Sequence, residues 1–199
     1  MRFLSGAGSL REGRERIKNM TMDVCQDGRI RPATVADLEA LLKLEKVCFA
    51  VPWSRKSFEA ELNGNQFSHI LVVPGSRETW EIPLLAYICV WVVFEEIRFL
   101  NLAVHPNFRR RGLARQLILQ ALRIGINQGC CRGMLEVRHS NSAAKTLYES
   151  FNFTEYATRN SYYTNPTEDA ILMILEPISR TIIEEHHFQK IPSEGKTVS

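Results

Sequence analysis

The order of apolar runs predicts an α/β fold: a mixed, mostly antiparallel sheet flanked by helices. Three observations carry this. Short runs rich in β-branched and aromatic residues alternate along the chain with segments of helical period. The run "LLAYICVWVVFEEIRFLNLAV" is too long and too rich in strand formers for one helix, so it splits near Glu95 and Glu96 into an antiparallel hairpin. Beyond it, helical segments separate the strands, which brings parallel pairing into a sheet that is antiparallel until then.

Taken in order, "RIRPA" reads as a short first strand. Thr34 and Asp37 have the spacing of a capping box, and Leu38, Leu41, Leu42 and Glu45 set one face of a helix running to about Phe49. A shorter helix follows Ser54 in "PWSRKSFEAEL", and "HILVV" is a buried strand ended by Pro74 and Gly75. After the hairpin, His105 and Pro106 stop the second arm, because proline has no N–H to give to a ladder. A helix from about Gly112 to Gln128, the strand "RGMLEVR", a helix from Asn141 to about Ser150, and the strands "FTEYATRNSYY" and "AILMILEP" complete the pattern. One folded domain is expected over residues 29–177. Residues 1–28 and 178–199 are polar and lack an apolar period, so they read as a flexible N-terminal extension and a C-terminal tail.

Composition narrows the function classes. The 25 basic residues nearly cancel the 22 acidic ones, and a net charge of +3 gives no overall field toward nucleic acid or a membrane surface. No apolar run approaches the roughly 18 residues of a membrane span, and no signal-like apolar stretch opens the chain, so a cytoplasmic location is expected. The five cysteines lack zinc-type spacing and include the vicinal Cys130 and Cys131; they are expected to be reduced thiols, with no metal site.

Against this balance, "RRRGLA" at residues 109–114 stands out. It falls where a strand, a proline stop and a loop give way to a helix, so several backbone N–H groups lack intrahelical partners and the helix dipole adds positive potential. Gly112 and Ala114 leave room for a bulky phosphate, and the arginines add charge around it. A solvated basic helix start is the bland alternative. A nucleic-acid patch is weaker, because no basic stripe with interleaved aromatics continues it.

The segment R-R-x-G-x-A after "NLAV" resembles the acetyl-CoA signature Q/R-x-x-G-x-G/A of the GNAT acyltransferase superfamily. "CFAVPWSRKSF", "LEVRHSNSAAKTLYESFNF" and "RNSYYTNPTEDAILMILE" are similar to the branch that acetylates the N-terminal alanine of a ribosomal protein, over about Ile30 to Pro177. The resemblance implies the GNAT fold, acetyl-CoA as cosubstrate, and a protein N-terminus as partner. It also implies site residues. The backbone of Leu102, Ala103 and Val104 would pair with the pantetheine arm; Arg110, Arg111, Gly112, Leu113, Ala114 and Arg115 would hold the pyrophosphate. Asn141 would touch the cofactor, although its place also suits an N-cap.

Acetyl transfer requires a neutral amine, because an ammonium has no lone pair, and the departing thiolate requires a proton. The resemblance implies Glu136 as the base and Tyr148 as the acid, with a developing oxyanion met by a backbone N–H near Val104. Periodicity alone makes Glu136 a solvated strand carboxylate and Tyr148 a helix aromatic packed on the core. Pro52 and Trp53 would form one wall of a peptide slot and Tyr162 or Tyr163 another; strand alternation lets at most one of the two tyrosines line it. Where the family reads L-G-F, this chain has Phe151-Asn152-Phe153, and asparagine tolerates the left-handed conformation that glycine would supply. A GNAT enzyme for lysine side chains or small amines, and a non-catalytic acyl-CoA-binding module, are the competing classes.

Overall fold

Residues 30–75 and 82–188 are described in the computed structural model. The strands are β1 (Arg31–Pro32), β2 (Ser68–Pro74), β3 (Leu84–Val93), β4 (Glu96–Val104), β5 (Arg132–Arg138), β6 (Thr154–Thr164) and β7 (Thr167–Leu175). The α-helices are α1 (Leu38–Cys48), α2 (Arg55–Glu59), α3 (Leu113–Asn127), α4 (Ser142–Glu149) and α5 (Arg180–Phe188). The strands form a seven-stranded sheet in the order β1-β2-β3-β4-β5-β7-β6. Its β4–β5 pair is parallel, whereas β1–β2, β5–β7 and β6–β7 are antiparallel. This is the mixed sheet that the alternating pattern predicts.

The described residues group into two compact units: residues 30–75 and 82–89 with Leu102–Gln120, and Val90–Asn101 with residues 121–188.

In the first unit, Asp37 organises the start of the fold. Its carboxylate accepts from the Thr34 N–H at 2.8 Å and from both Arg31 guanidinium nitrogens at 2.8 and 2.7 Å. These bonds hold the Asp37 carboxyl down to about 2, the Arg31 hydrogen bond being the largest cause and burial opposing it. A 3-10 turn, Val35–Asp37, intervenes before α1. The buried stripe of α1 is Leu38, Leu41, Leu44 and Glu45. Leu42, placed on that face by sequence, is half-buried; a stripe stepping by three and then by one leaves it at the edge. Ser54 caps α2 by accepting from the Ser57 N–H at 3.1 Å.

In the second unit, the parallel β4–β5 ladder runs from Glu96–Arg132 to Phe99–Leu135, and β4 itself continues to Val104. β5 then pairs with β7 from Gly133–Leu175 to Arg138–Ala170. Helix α4 ends in a left-handed turn at Asn152, with φ of 66°, and the Phe153 N–H returns to the Tyr148 carbonyl at 3.2 Å; asparagine replaces glycine here as expected. The stretch after Pro177 departs from the polar tail that composition predicts. Ile178 donates its N–H to the Cys131 carbonyl at 2.8 Å, α5 follows, and Ile178 and Ile182 are both buried. Two isoleucines four residues apart supply a helical contact that averaging over a polar stretch conceals.

Candidate active site

The loop into α3 is built by backbone handedness. Pro106–Phe108 forms a 3-10 turn after β4, and Arg110 and Gly112 then take φ of 63° and 78° on either side of Arg111. Alternating handedness turns successive N–H groups toward one concavity. Helix α3 begins at Leu113, and its first helical bond here is Gln116 N–H to the Gly112 carbonyl at 3.0 Å. Arg110, Arg111 and Gly112 are exposed, Leu113 is buried, and Ala114 and Arg115 are half-buried. A Cβ on Gly112 would come no nearer the protein than 4.0 Å, from Gln116 Nε2, so the space beside the loop is open to a ligand. The loop offers a diphosphate positive charge and room.

Two side chains converge on the end of β4. Arg109 Nε donates to the Val104 carbonyl at 3.2 Å and Cys48 Sγ donates to the same oxygen at 3.4 Å. The His105 N–H donates to the Leu85 carbonyl at 2.8 Å, which removes that amide as an oxyanion donor next to Val104. Leu102 and Val104 are half-buried and Ala103 is buried. Arg109 occupies the first position of Q/R-x-x-G-x-G/A, ahead of the Arg110 to Arg115 stretch. Arg111 turns aside, its guanidinium 4.9 Å from the Phe108 ring centroid.

Pro52 is exposed and Trp53 half-buried in the loop between α1 and α2. That loop is tied down by Glu45, a residue that sequence places only on a helix face. Glu45 is 1% exposed; its carboxylate accepts from the Trp53 N–H at 2.9 Å and from the Tyr87 hydroxyl at 2.5 Å. Burial, with the Glu45 charge beside it, pushes the Tyr87 phenol well above the ordinary tyrosine range. Phe58 packs between the two aromatics, 5.4 Å from Trp53 and 5.6 Å from Tyr87 by ring centroid.

On β5 of the second unit, Leu135 and Val137 are buried and Glu136 is exposed, as alternation requires. The Glu136 carboxylate is not alone: Arg159 Nη1 lies 2.5 Å from its Oε1. Interaction with the Glu136 carboxylate raises the pKa of the Tyr162 phenol, and burial raises it further; the Arg159 guanidinium lies 5.6 Å from the Tyr162 ring centroid. Arg138, two residues along the same face, stacks its guanidinium 4.0 Å from the Tyr163 ring centroid. The two tyrosine rings meet edge to face at 5.2 Å. Both rings therefore lie on the side of Glu136, where regular alternation would set them on opposite faces. The reason is a bulge: β6 shifts register between Arg159 and Tyr163, with Ser161 left-handed at φ of 51°.

Tyr148 is buried on α4, in edge contacts with Phe99 at 6.1 Å and Phe153 at 5.5 Å. Burial pushes its phenol well above the ordinary value, so it holds its proton throughout the neutral range. Asn141 caps α4, its Oδ1 accepting from the Ala144 N–H at 3.1 Å. Among the described residues, no group of three or more His, Cys, Asp or Glu is placed to hold a metal ion, and Cys48, Cys89, Cys130 and Cys131 are free. No described helix is long and apolar enough to cross a membrane.

The chain belongs to the acetyltransferase (GNAT) family, whose pattern matches residues 38–153. Within it, the chain is 37% identical over 145 residues to the [ribosomal protein bS18]-alanine N-acetyltransferase of Escherichia coli K12, spanning 72% of this chain and 93% of that one. It is 36% identical over 148 residues to the protein of the same name from Salmonella typhimurium, spanning 73% and 95%. The crystal structure of the ribosomal-protein-S18-alanine N-acetyltransferase from Escherichia coli matches with a TM-score of 0.67 at 34% identity, over 75% of this chain and 93% of that one.

Proposed function

We propose that this protein transfers the acetyl group of acetyl-CoA to the α-amine of an N-terminal alanine, with ribosomal protein bS18 as its substrate. The observation that carries the reading is the loop into α3. Arg110 and Gly112 are left-handed, Arg110, Arg111 and Gly112 are exposed, and a Cβ at Gly112 would meet nothing closer than 4.0 Å. Kinship supports the choice of substrate, since relatives named for bS18 alanine acetylation align over more than nine-tenths of their length.

When bound, acetyl-CoA supplies an activated acyl thioester. The N–H groups of residues 110–115 and the arginines among them would neutralise its diphosphate, and the backbone of Leu102 to Val104 would hold its pantetheine arm. Asn141 holds the start of α4 through its cap and contacts the cofactor there. Glu136 accepts the proton of the substrate ammonium. An α-amine has a pKa of about 8, so near neutral pH a carboxylate acting through water suffices. To do so, Glu136 exchanges its Arg159 partner for the incoming cation. Tyr148, kept protonated by burial, returns a proton to the thiolate. Pro52, Trp53, Tyr162 and Tyr163 contact the peptide.

Incubation with acetyl-CoA and two peptides of equal composition tests the assignment, one with a free N-terminal alanine and one blocked there but carrying an internal lysine. Mass spectrometry should place the acetyl group on the alanine amine. Faster modification of the blocked peptide would replace this reading with lysine acetylation.

A further inference from the structure

The face around Glu136 depends on a distortion in β6, and one side chain outside the catalytic set holds that distortion. Along the β6–β7 ladder, Arg159 pairs with Ala170 and Tyr163 with Glu168. Between these pairs β6 carries Asn160, Ser161 and Tyr162, against Asp169 alone on β7. Surplus residues in one strand must leave the ladder, and the local chain has to bend. Ser161 takes the bend, with φ of 51°, a region unfavourable to a residue with a Cβ unless something fixes it. What fixes it is Asp169, whose Oδ1 accepts the Ser161 N–H at 2.8 Å. Asp169 is itself half-buried, and its backbone carbonyl takes the His139 N–H at 3.1 Å, so the anchor is set on the strand register of β5 and β7.

The bend has a chemical result. In an unbroken strand Tyr162 and Tyr163 would point to opposite faces. With it, the Tyr162 ring lies 5.6 Å from the Arg159 guanidinium that pairs with Glu136, Tyr163 lies over Arg138, and the two rings meet at 5.2 Å to make one aromatic wall. The hairpin tip has its own fastening, through Arg138 to the carbonyls of Asn165 and Pro166 at 3.1 and 3.3 Å. Loss of the Asp169 bond would therefore relax the middle of β6 while the tip stays in place.

We propose that Asp169 is a positioning residue for the peptide substrate: by holding Ser161 in the left-handed bulge it turns Tyr162 and Tyr163 together onto the Glu136 face, and so sets the enzyme's affinity for the first residues of the acceptor chain and its preference for a small one. This deepens the reading of the Glu136 face as the acceptor site and rests on it.

The test is steady-state kinetics of the full chain with acetyl-CoA and peptides that begin with alanine or leucine, in four variants. Asp169→Ala should raise the KM for the alanine peptide about tenfold, with kcat within about threefold of the parent, and should narrow the alanine-to-leucine preference by a similar factor. Asp169→Asn keeps an Oδ1 acceptor and should stay within about threefold of the parent in KM. Asp169→Ala combined with Ser161→Gly should recover a large part of the loss, because glycine adopts the left-handed region without an anchor. Amide exchange at Ser161 should quicken at least tenfold in Asp169→Ala, with exchange in the centre of β7 unchanged. An unchanged KM and preference in Asp169→Ala overturn the proposal. So does an equal loss in the alanine and asparagine variants with no rescue by Ser161→Gly, which would mark Asp169 as a general structural residue. Glu136→Gln, measured beside them, separates the two readings: full activity in that variant refutes the acceptor-site assignment itself, whatever Asp169 does.

Discussion

Replacing Glu45 tests how firmly the α1–α2 loop is fastened. Glu45→Ala leaves the Trp53 N–H and the Tyr87 hydroxyl, held now at 2.9 and 2.5 Å, without that acceptor in a region where Glu45 is 1% exposed. A buried donor stripped of its acceptor costs about 1 to 3 kcal/mol, and relief of the carboxylate's own desolvation offsets part of the sum. The net loss should be about 2 to 4 kcal/mol, which for a chain of this size lowers Tm by roughly 5 to 12 °C. Glu45→Gln keeps an oxygen for Trp53 and presents an amide to the phenol, which can accept from it, so about 1 kcal/mol is expected. In urea denaturation, the cycle of Glu45→Ala with Tyr87→Phe should return a coupling of about 1.5 to 3 kcal/mol, since both changes remove one short bond. Functionally, the freed loop carries Pro52 and Trp53, so the peptide KM should rise severalfold with acetyl-CoA affinity unchanged. A destabilisation under about 1 kcal/mol, or a coupling near zero, would refute the clamp.

Three further outcomes follow from the site. Glu136→Gln should lower kcat about a hundredfold and Tyr148→Phe about tenfold, with acetyl-CoA affinity by calorimetry within about twofold of the parent. Gly112→Val should weaken acetyl-CoA binding at least about tenfold while costing about 1 to 2 kcal/mol in stability, because φ of 78° strains a branched residue although no protein atom stands within 4.0 Å of its Cβ save Gln116 Nε2; unchanged affinity would move the diphosphate elsewhere. Asp37, held at about 2 against an unfolded value of about 3.9, contributes stability that is fully present above pH 4 and lost as the pH falls toward 2. Because Arg31 is 44% exposed and screened, that contribution should be about 1 kcal/mol in urea melts, and Arg31→Met should reduce its pH dependence to the part that the Thr34 bonds sustain.

Those parts of the fold that depend on neighbouring residues were legible in the sequence. Ser54 and Asn141 cap helices because a side-chain oxygen reaches an N–H three residues on. Pro106 ends β4, and Asn152 supplies the left-handed stop that a glycine would have given. The bounds of β5 match "RGMLEVR" because Leu135 and Val137 alternate with Glu136 in a strand that keeps its period. Composition conceals the C-terminal helix, because Ile178 just before it and Ile182 within it are buried in a stretch that averages as polar.

The site was legible only where one residue type carries the chemistry by itself. Gly112 announces room beside a loop, and Glu136 in a strand announces an exposed carboxylate. Partners were not legible: Arg159 reaches Glu136 across 23 positions of sequence, and Tyr87 reaches Glu45 across 42. No period marks such pairs, because they follow from strand order and register. The two tyrosines make the point most sharply. Period-two alternation is a sound rule for a strand that stays in its ladder, and it failed at Tyr162 because Ser161 leaves the ladder under the hold of Asp169. A bulge of this kind uses a serine in a conformation that glycine favours, so the turn residues that usually advertise it are missing from the sequence. Its anchor comes from the opposite strand, eight residues later, and only pairing of β6 with β7 brings donor and acceptor together. The rule therefore breaks beside Glu136, at the point where a bent strand can set two aromatic rings on one face and a regular strand cannot.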